Sequence, residues 1–175
     1  MIFRANGSLK LGISACLLGN RVRYDGGHKH DRFLTDTLVQ YVEYVPVCPE
    51  VECGLGVPRE PLHLVGDSGF PRLVTVETGL DCTERMVQWA QGRLSGLEKE
   101  GLCGFVFKSK SPSCGLQGIP VDDGSGSMQP EKTGAGIFAR LFMERFPFIP
   151  VEDEGHLCDP AVREDFLKRI SLLTV

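Results

Sequence analysis

Three cysteines, Cys16, Cys48 and Cys114, are far apart in the sequence, and each lies at or just after the end of an apolar, strand-like run. In an open parallel sheet the strand-to-helix loops meet beyond the carboxyl ends of the strands. If these runs form such a sheet, the three thiols share one crevice. Thiolates are ligands that soft metal centres prefer. The spacing therefore favours a metal site built from three separate strands.

The kind of metal centre follows from the number of thiols. A cuboidal iron–sulfur cluster normally takes four thiolates, so a site with three leaves one iron open to a substrate atom. Zinc is an alternative, but its sites usually pair ligands at short spacing, and Cys48 and Cys53 are the only close pair. Cysteines also serve as small apolar core residues. We expect that role for Cys82, Cys103 and Cys158.

Two polar residues near these cysteines are candidates for catalysis. Glu50 follows Cys48, and the intervening Pro49 stiffens the turn that would direct the carboxylate toward the cluster. It is the candidate acid–base group, and the alternative is a solvated loop carboxylate. Ser111, which precedes Pro112, is the preferred hydroxyl contact. The alternative for Ser111 is an ordinary turn or a helix N-cap.

Polar residues of two loops are candidates for substrate binding. They are Arg23, Tyr24 and Asp25 after the first strand, and Lys108, Ser109 and Ser113 around Ser111. The first loop also contains His28 and His30, which alone are a weak signal for a chemical role.

The order of apolar patterns predicts an α/β fold, with a single Rossmann-like domain over residues 1–175 and a mainly parallel sheet flanked by helices. The predicted strands are Leu9–Ser14, Tyr44–Cys48, Arg72–Glu77, Cys103–Lys108 and Phe148–Glu152, with an extended stretch at Leu62–Val65. The predicted helices are Asp31–Val42, a helix capped by Asp81, Gly134–Arg145 and a helix opened by Asp159 and Pro160. Residues 122–133, rich in Gly, Ser, Asp and Pro, are predicted to form a loop or lid.

Composition limits the classes of function. With 175 residues and 42% hydrophobic content, the chain can bury one core without disulfides. The net charge of −4 argues against nucleic-acid binding through bulk electrostatics. The odd count of seven cysteines suits a reducing compartment. Because no apolar run is long enough to span a bilayer and no signal peptide is recognisable, we expect a cytoplasmic protein with no membrane partner.

The motifs that carry these residues resemble those of the thiouracil desulfidase family. The similar blocks follow the family's order through almost the whole chain and are Gly12–Gly19, Arg23–Gly26, Cys48–Val51, Lys108–Gly115 and Gly134–Ala139. Within the family, the sequence is most similar to the N-terminal half of two-domain members that act on thiolated tRNA.

The resemblance implies a 4Fe–4S cluster held by Cys16, Cys48 and Cys114, and non-redox desulfuration of 2- or 4-thiouracil-type substrates. In that reaction the thiocarbonyl sulfur binds the open iron, water attacks the ring carbon, and sulfide is released. Glu50 would act as general base or move a proton to the ring nitrogen. Ser111 would hold the substrate or the proton path.

The expected substrates are small thiolated pyrimidine bases or nucleosides, because an acidic chain offers no obvious surface for folded tRNA. Thiolated tRNA is the alternative, supported by a local excess of Arg and Lys in the loops.

Three other functions are compatible with the same residues. An electron-transfer protein would normally saturate every iron with protein ligands. A sulfurtransferase would use Cys114 as a persulfide carrier near a helix N-terminus. A nucleotide-binding module would bind uracil and release no sulfide.

Overall fold

The computed structural model describes residues 9–123 and 132–173. Within these ranges the strands are β1 Leu9–Ser14, β2 Val42–Val47, β3 Leu62–Val65, β4 Arg72–Thr75, β5 Gly104–Phe107, β6 Ile119–Asp122, β7 Thr133–Gly134 and β8 Val151–Asp153. The α-helices of the same ranges are α1 Pro49–Glu52, α2 Thr83–Glu100, α3 Ile137–Arg145 and α4 Pro160–Leu172.

The first sheet is parallel and has the strand order β2-β1-β5-β8. β1 pairs with β2 along its whole length, from Leu9 opposite Val42 to Ser14 opposite Val47. Strands covered on both faces need consecutive apolar residues, and all four residues of β5 are buried. The predicted α/β fold with a mainly parallel sheet is confirmed.

Helices cover both faces of this sheet. On one face, Leu11 and Ile13 of β1 pack with Phe166 of α4. On the other face, Phe105 and Phe107 of β5 pack against α2 and α3, and their two ring centroids are 4.1 Å apart. The alternation of side chains along each strand thus supplies two apolar layers from one sheet.

The second sheet has the order β4-β3-β6-β7 and mixes strand directions. β3 pairs parallel to β6 but antiparallel to β4. The chain reverses between β3 and β4 at a short turn that begins with Gly66, whose φ is 95°. A parallel return would need a longer crossover. The run predicted as a third strand, 72–77, therefore ends at Thr75 and belongs to this second sheet.

The predicted helix Asp31–Val42 is wrong. The chain forms a π-helical turn at Phe33–Thr37 and a 3-10 turn at Leu38–Gln40, and β2 begins at Val42. The apolar spacing did identify buried positions, because Leu34 and Leu38 are both buried. Val42, however, pairs with Leu9 across the sheet. The β-branched side chain favours this strand pairing over another helical turn.

The two predicted helix starts differ in outcome. Asp159 is the N-cap of α4, and its Oδ1 accepts a hydrogen bond from the backbone N–H of Ala161 at 2.8 Å. This prediction is confirmed. α2 instead has Cys82 at its N-cap, while Asp81 accepts the N–H of Thr83 at 2.9 Å.

Most of the predicted lid, residues 124–131, lies outside the described residues. In the ranges that are described, no helix combines the length and apolar character needed to cross a membrane.

Candidate functional site

A cleft of about 700 Å³ lies at the carboxyl ends of the parallel strands. Its walls come from the segments that follow β1, β2 and β5, together with Glu154 directly after β8. Cys16, Cys48 and Cys114 all line it. The cysteines follow three neighbouring strands of the sheet, which explains how positions so distant in the sequence meet.

Local structure fixes the first two cysteines. Cys16 lies in the 3-10 turn Ala15–Leu18, which continues directly from β1. Cys48 is the N-cap of α1, and its backbone N–H donates to Oε1 of Glu52 at 2.8 Å. Both thiols are therefore held by backbone that is continuous with the sheet.

The loop that carries Cys114 is held by main-chain contacts. The hydroxyl oxygen of Ser111 accepts the N–H groups of Ser113 and Cys114 at 3.2 and 3.0 Å. Two N–H groups in the first turn of α3 donate to the carbonyl of Ser113 at 3.0 and 3.1 Å. A Cβ atom at Gly136 would lie only 2.5 Å from a backbone atom of Ser113. The absence of a side chain at Gly136 thus lets α3 contact the loop directly.

The three thiols influence one another electrostatically. Burial raises the pKa of Cys16 to about 11, with a further contribution from the neighbouring Cys48. Burial likewise raises the pKa of Cys48, and that of Cys114 well above its ordinary value, where Cys16 and Cys48 add to the effect. Three thiolates lining one cleft would repel one another, so a positive centre beside them would favour the deprotonated forms.

Among residues 9–123 and 132–173, no group of His, Cys, Asp or Glu side chains is placed to hold a single metal ion. A cuboidal cluster distributes its thiolates over separate iron atoms, so its ligands lie farther apart than those of one ion.

Glu50 lies in α1 beside two of the thiols. Its carboxylate contributes to raising the pKa of both Cys48 and Cys114. Oε2 accepts hydrogen bonds from Nε and Nη2 of Arg59 at 2.8 and 2.6 Å, and Oε1 accepts one from the Ser113 hydroxyl at 2.8 Å. The predicted acid–base group is thus held in place by an arginine and a serine.

Lys108 and Ser109 bind Glu154. The Lys108 ammonium donates to a carboxylate oxygen of Glu154 and to the backbone and side-chain oxygens of Ser109. Glu154 also accepts the N–H and the hydroxyl of Ser109 at 2.8 and 2.7 Å. Burial raises the pKa of Glu154, but the hydrogen bonds from Lys108 and Ser109 outweigh it and hold that pKa below its ordinary value.

The candidate binding residues of the loop after β1 differ in whether they line the cleft. Arg23 and Tyr24 line the cleft, with the guanidinium 5.4 Å from the centre of the tyrosine ring. Asp25 does not line it: Oδ1 accepts the N–H of Gly27 at 2.9 Å and lies 3.8 Å from Nε of Arg23. Ser113 is likewise behind the cleft wall, where it contacts Glu50.

Sequence reasoning missed Arg59 and Glu154, both of which line the cleft. Arg59 follows Pro58 in a Gly- and Pro-rich loop, where no sequence pattern indicates its contact with Glu50. Glu154 lies among several acidic residues after a short strand, so the sequence did not distinguish it from its neighbours.

Comparison with known proteins agrees with this geometry. Residues 11–154 match the family model described as 2-thiouracil desulfurase. The chain is 31% identical over 137 residues to the uncharacterised protein YbbK of Bacillus subtilis (strain 168), an alignment that covers 75% of this chain and 88% of the relative.

Among solved structures, a 4Fe–4S-dependent thiouracil desulfidase, TudS, superposes with a TM-score of 0.69 at 32% sequence identity. The match covers 90% of this chain and 99% of that chain. The family resemblance predicted from the motifs is confirmed: the chain belongs to the 2-thiouracil desulfurase family.

Proposed function

We propose that this chain is an iron–sulfur desulfidase that hydrolyses the carbon–sulfur bond of thiouracil-type bases and nucleosides. The convergence of three thiols and the Glu50 carboxylate in one cleft is the observation that carries the proposal. Membership of the 2-thiouracil desulfurase family and the likeness to TudS support it.

Cys16, Cys48 and Cys114 would hold a 4Fe–4S cluster. The donor set fits, because thiolates are the usual ligands of such clusters and no fourth cysteine of the described residues lines the cleft. When bound, the cluster supplies a Lewis-acidic iron that attracts the thiocarbonyl sulfur and polarises its bond to the ring carbon.

Glu50 would accept the proton of the attacking water. A carboxylate has about four lone-pair positions, and three protein donors reach Glu50, two at Oε2 and one at Oε1. The remaining position lies on Oε1. Its partners keep the carboxylate oriented, which favours proton transfer at one defined atom.

Ser111 would donate a hydrogen bond to the substrate or relay a proton. Its oxygen already accepts the N–H groups of Ser113 and Cys114. The hydroxyl proton has no acceptor among the described residues, and Ser111 lines the cleft. In this proposal Ser111 keeps its turn-forming contacts and also acts on the substrate, the two roles that the sequence left as alternatives.

The remaining wall residues would bind the pyrimidine and fix the charge of the site. Arg23 and Tyr24 offer a guanidinium and an aromatic face to a planar ring. The Lys108 ammonium is engaged by three protein acceptors, so it would act through its charge, which lowers the pKa of Cys16.

The sulfurtransferase alternative is disfavoured by the surroundings of Cys114. That thiol is buried, and burial raises its pKa well above the ordinary value, whereas a persulfide carrier needs an accessible thiolate. Small thiolated substrates remain the expected class, because the net charge is −4.

The test is anaerobic reconstitution followed by turnover in water enriched in oxygen-18. We expect about four irons per chain, release of sulfide from 4-thiouracil and 4-thiouridine without an electron donor, and oxygen-18 in the uracil product. Thiolated tRNA assayed at the same moderate salt concentration should give a lower kcat/KM. A loaded protein that releases no sulfide, or that consumes a reductant in proportion to product, would contradict the proposal.

A further inference from the structure

Arg59 is a buried cation at the cleft that the fold holds on several sides. Its side chain is only 7% exposed, and that of its partner Glu50 is 15% exposed. Besides the two bonds to Glu50, Nη1 donates to the carbonyl of Gly56 at 2.7 Å and Nη2 donates to that of Val22 at 2.9 Å. A guanidinium with so many fixed partners cannot rotate without breaking several hydrogen bonds.

The contacts with Glu50 are unequal at the two carboxylate oxygens. Both arginine donors converge on Oε2, while Oε1 receives only the hydroxyl of Ser113. Because each carboxylate oxygen offers about two lone pairs, Oε2 is saturated and Oε1 keeps one position available. The arginine thereby determines which oxygen can accept a proton.

Arg59 also connects its own loop to the two segments that surround this carboxylate, the loop after β1 and α1. Its backbone N–H donates to the carbonyl of Tyr24 at 2.9 Å, and its guanidinium bonds α1 through Glu50. The carbonyl of Val22, which accepts from Arg59, also lies 3.8 Å from the sulfur of Cys48. Arg59 therefore holds the loop after β1 against α1. That helix carries Glu50 and has the predicted cluster ligand Cys48 at its N-cap.

We propose that Arg59 is a positioning residue for Glu50, which saturates Oε2 and directs Oε1 toward the reacting water. The inference rests on the proposed function, in which Glu50 accepts the proton of that water. Arg59 itself touches neither substrate nor cluster in this assignment. Its effect on turnover passes through Glu50.

The test compares R59M and R59K in the wild-type and E50Q backgrounds. R59M removes the charge and all side-chain donors. R59K keeps a charge but loses the pair of N–H donors that both bond Oε2 of Glu50. R72M is the matched control, because Arg72 is largely exposed and, among the residues that the structure describes, pairs with Asp81 alone, at 3.3 Å. Each protein is loaded anaerobically, and iron content, kcat, KM on 4-thiouridine and the urea midpoint are measured.

We expect R59M to keep its iron and to lose roughly 10²-fold in kcat, the cost of a misplaced catalytic group, with KM changed less than about threefold. R59K should recover part of the loss, and R72M should equal the wild type. In the E50Q background, R59M should lower kcat by less than about threefold, because the group it positions is already absent. The urea midpoint should fall in R59M and be partly restored in E50Q/R59M, since the double variant leaves no unpaired buried carboxylate.

Three results would overturn the inference. They are full kcat in R59M, an equal loss in both backgrounds, and loss of iron in R59K as well as R59M, which would make Arg59 a support of the Cys48 segment. If R59M does not fold, the comparison of R59K between the two backgrounds decides by the same criteria. A wild-type protein that carries its cluster yet releases no sulfide refutes the proposed function itself, a result distinct from an active wild type with an equally active R59M.

Discussion

Glu50 and Glu154 line the cleft from opposite edges of the parallel sheet. Glu50 follows β2 and Glu154 follows β8, the two edge strands. Each accepts three hydrogen bonds and pairs with one cation, Arg59 or Lys108. The sources of these bonds differ. Glu50 is held by side chains alone, whereas Glu154 is held by Lys108 and the adjacent Ser109, including a backbone N–H.

The difference indicates that the two carboxylate–cation pairs have different roles. Glu154 ties the segment after β5 to the end of β8, and its pKa is lowered by the groups that it ties. Glu50 lies beside the thiols of Cys48 and Cys114 and keeps the lone pair on Oε1 that its arginine does not reach. We infer that one edge of the sheet supplies a structural tie and the other supplies the acid–base group.

The largest expected effect comes from comparing alanine substitutions of two cysteines, Cys48 near Glu50 and Cys158 near Glu154. Replacing Cys48 by Ala should remove most of the iron and all desulfuration, because the cluster loses a thiolate that water does not replace at equal strength. Cys158 lies near Glu154, with its sulfur 3.4 Å from that residue's carbonyl oxygen, and is exposed. Cys158→Ala should keep full iron and activity. A colorimetric iron assay on both proteins decides, and a C48A protein with its full iron content would remove Cys48 from the ligand set.

The second prediction compares the carboxylates themselves. Glu50→Gln should keep the cluster and lower kcat by about 10²–10⁴-fold, because an amide preserves the shape of the side chain but cannot accept the proton. Glu154→Gln should lower kcat by less than about tenfold, since most of its hydrogen bonds fix a loop. Steady-state rates on 4-thiouridine, normalised to iron, provide the measurement. Equal losses in the two variants would show that the edges do not differ in role.

The third prediction uses the pKa of a ligand thiol. Burial and the neighbouring Cys48 raise the pKa of Cys16 to about 11, so in the cluster-free chain this thiol is protonated at neutral pH. Alkylation by iodoacetamide at pH 7.5 should be about 10²-fold slower than that of free cysteine, whose pKa is about 8.5. The rate should rise about tenfold per pH unit up to pH 9. Mass spectrometry of the labelled peptides gives the rate, and a pH-independent rate would contradict the assigned pKa.

The smallest effect concerns stability at the Glu154 edge. Lys108→Met should cost about 2 kcal/mol of unfolding free energy, because it leaves a largely buried carboxylate without its cation. Lys110→Met is the matched control, since Lys110 is exposed on the same loop, and its cost should stay within about 0.5 kcal/mol. Urea denaturation of the loaded proteins measures both. The K108M/E154Q protein should recover part of the loss, and an undiminished loss there would mean that Lys108 stabilises the fold by another route.

The sequence predicted the sheet and the meeting of the cysteines because both depend on short-range patterns. Consecutive apolar residues of β5 and the polar segments after each strand can be read from the sequence, and parallel topology then brings the strand ends together. Arg59 was not predictable in the same way. Its role depends on the carbonyl of Val22 and on Glu50, contacts that no periodicity encodes.

Two further positions show how tertiary pairing decides between locally similar options. Val42 fits a helical spacing with Leu38, yet its pairing with Leu9 makes it the first residue of β2. Asp25 lies in a loop rich in polar residues next to the cleft, but its side-chain Oδ1 accepts the backbone N–H of Gly27 and closes the turn. At both places the residue type indicated the local character of the position. It did not identify the residue with which the contact is made.

The contact between α3 and the Cys114 loop determines what must be transferred to build this site in another protein. At Gly136 the backbone of α3 lies directly against that of the loop, and an added Cβ would be only 2.5 Å from a backbone atom of Ser113. The position of the Cys114 thiol is therefore set by main-chain contacts and not by interchangeable side chains. A graft that copies only the cysteine-bearing loop would leave the carbonyl of Ser113 without its two donors from the helix. The smallest portable unit therefore includes the first turn of α3 and the glycine that begins it.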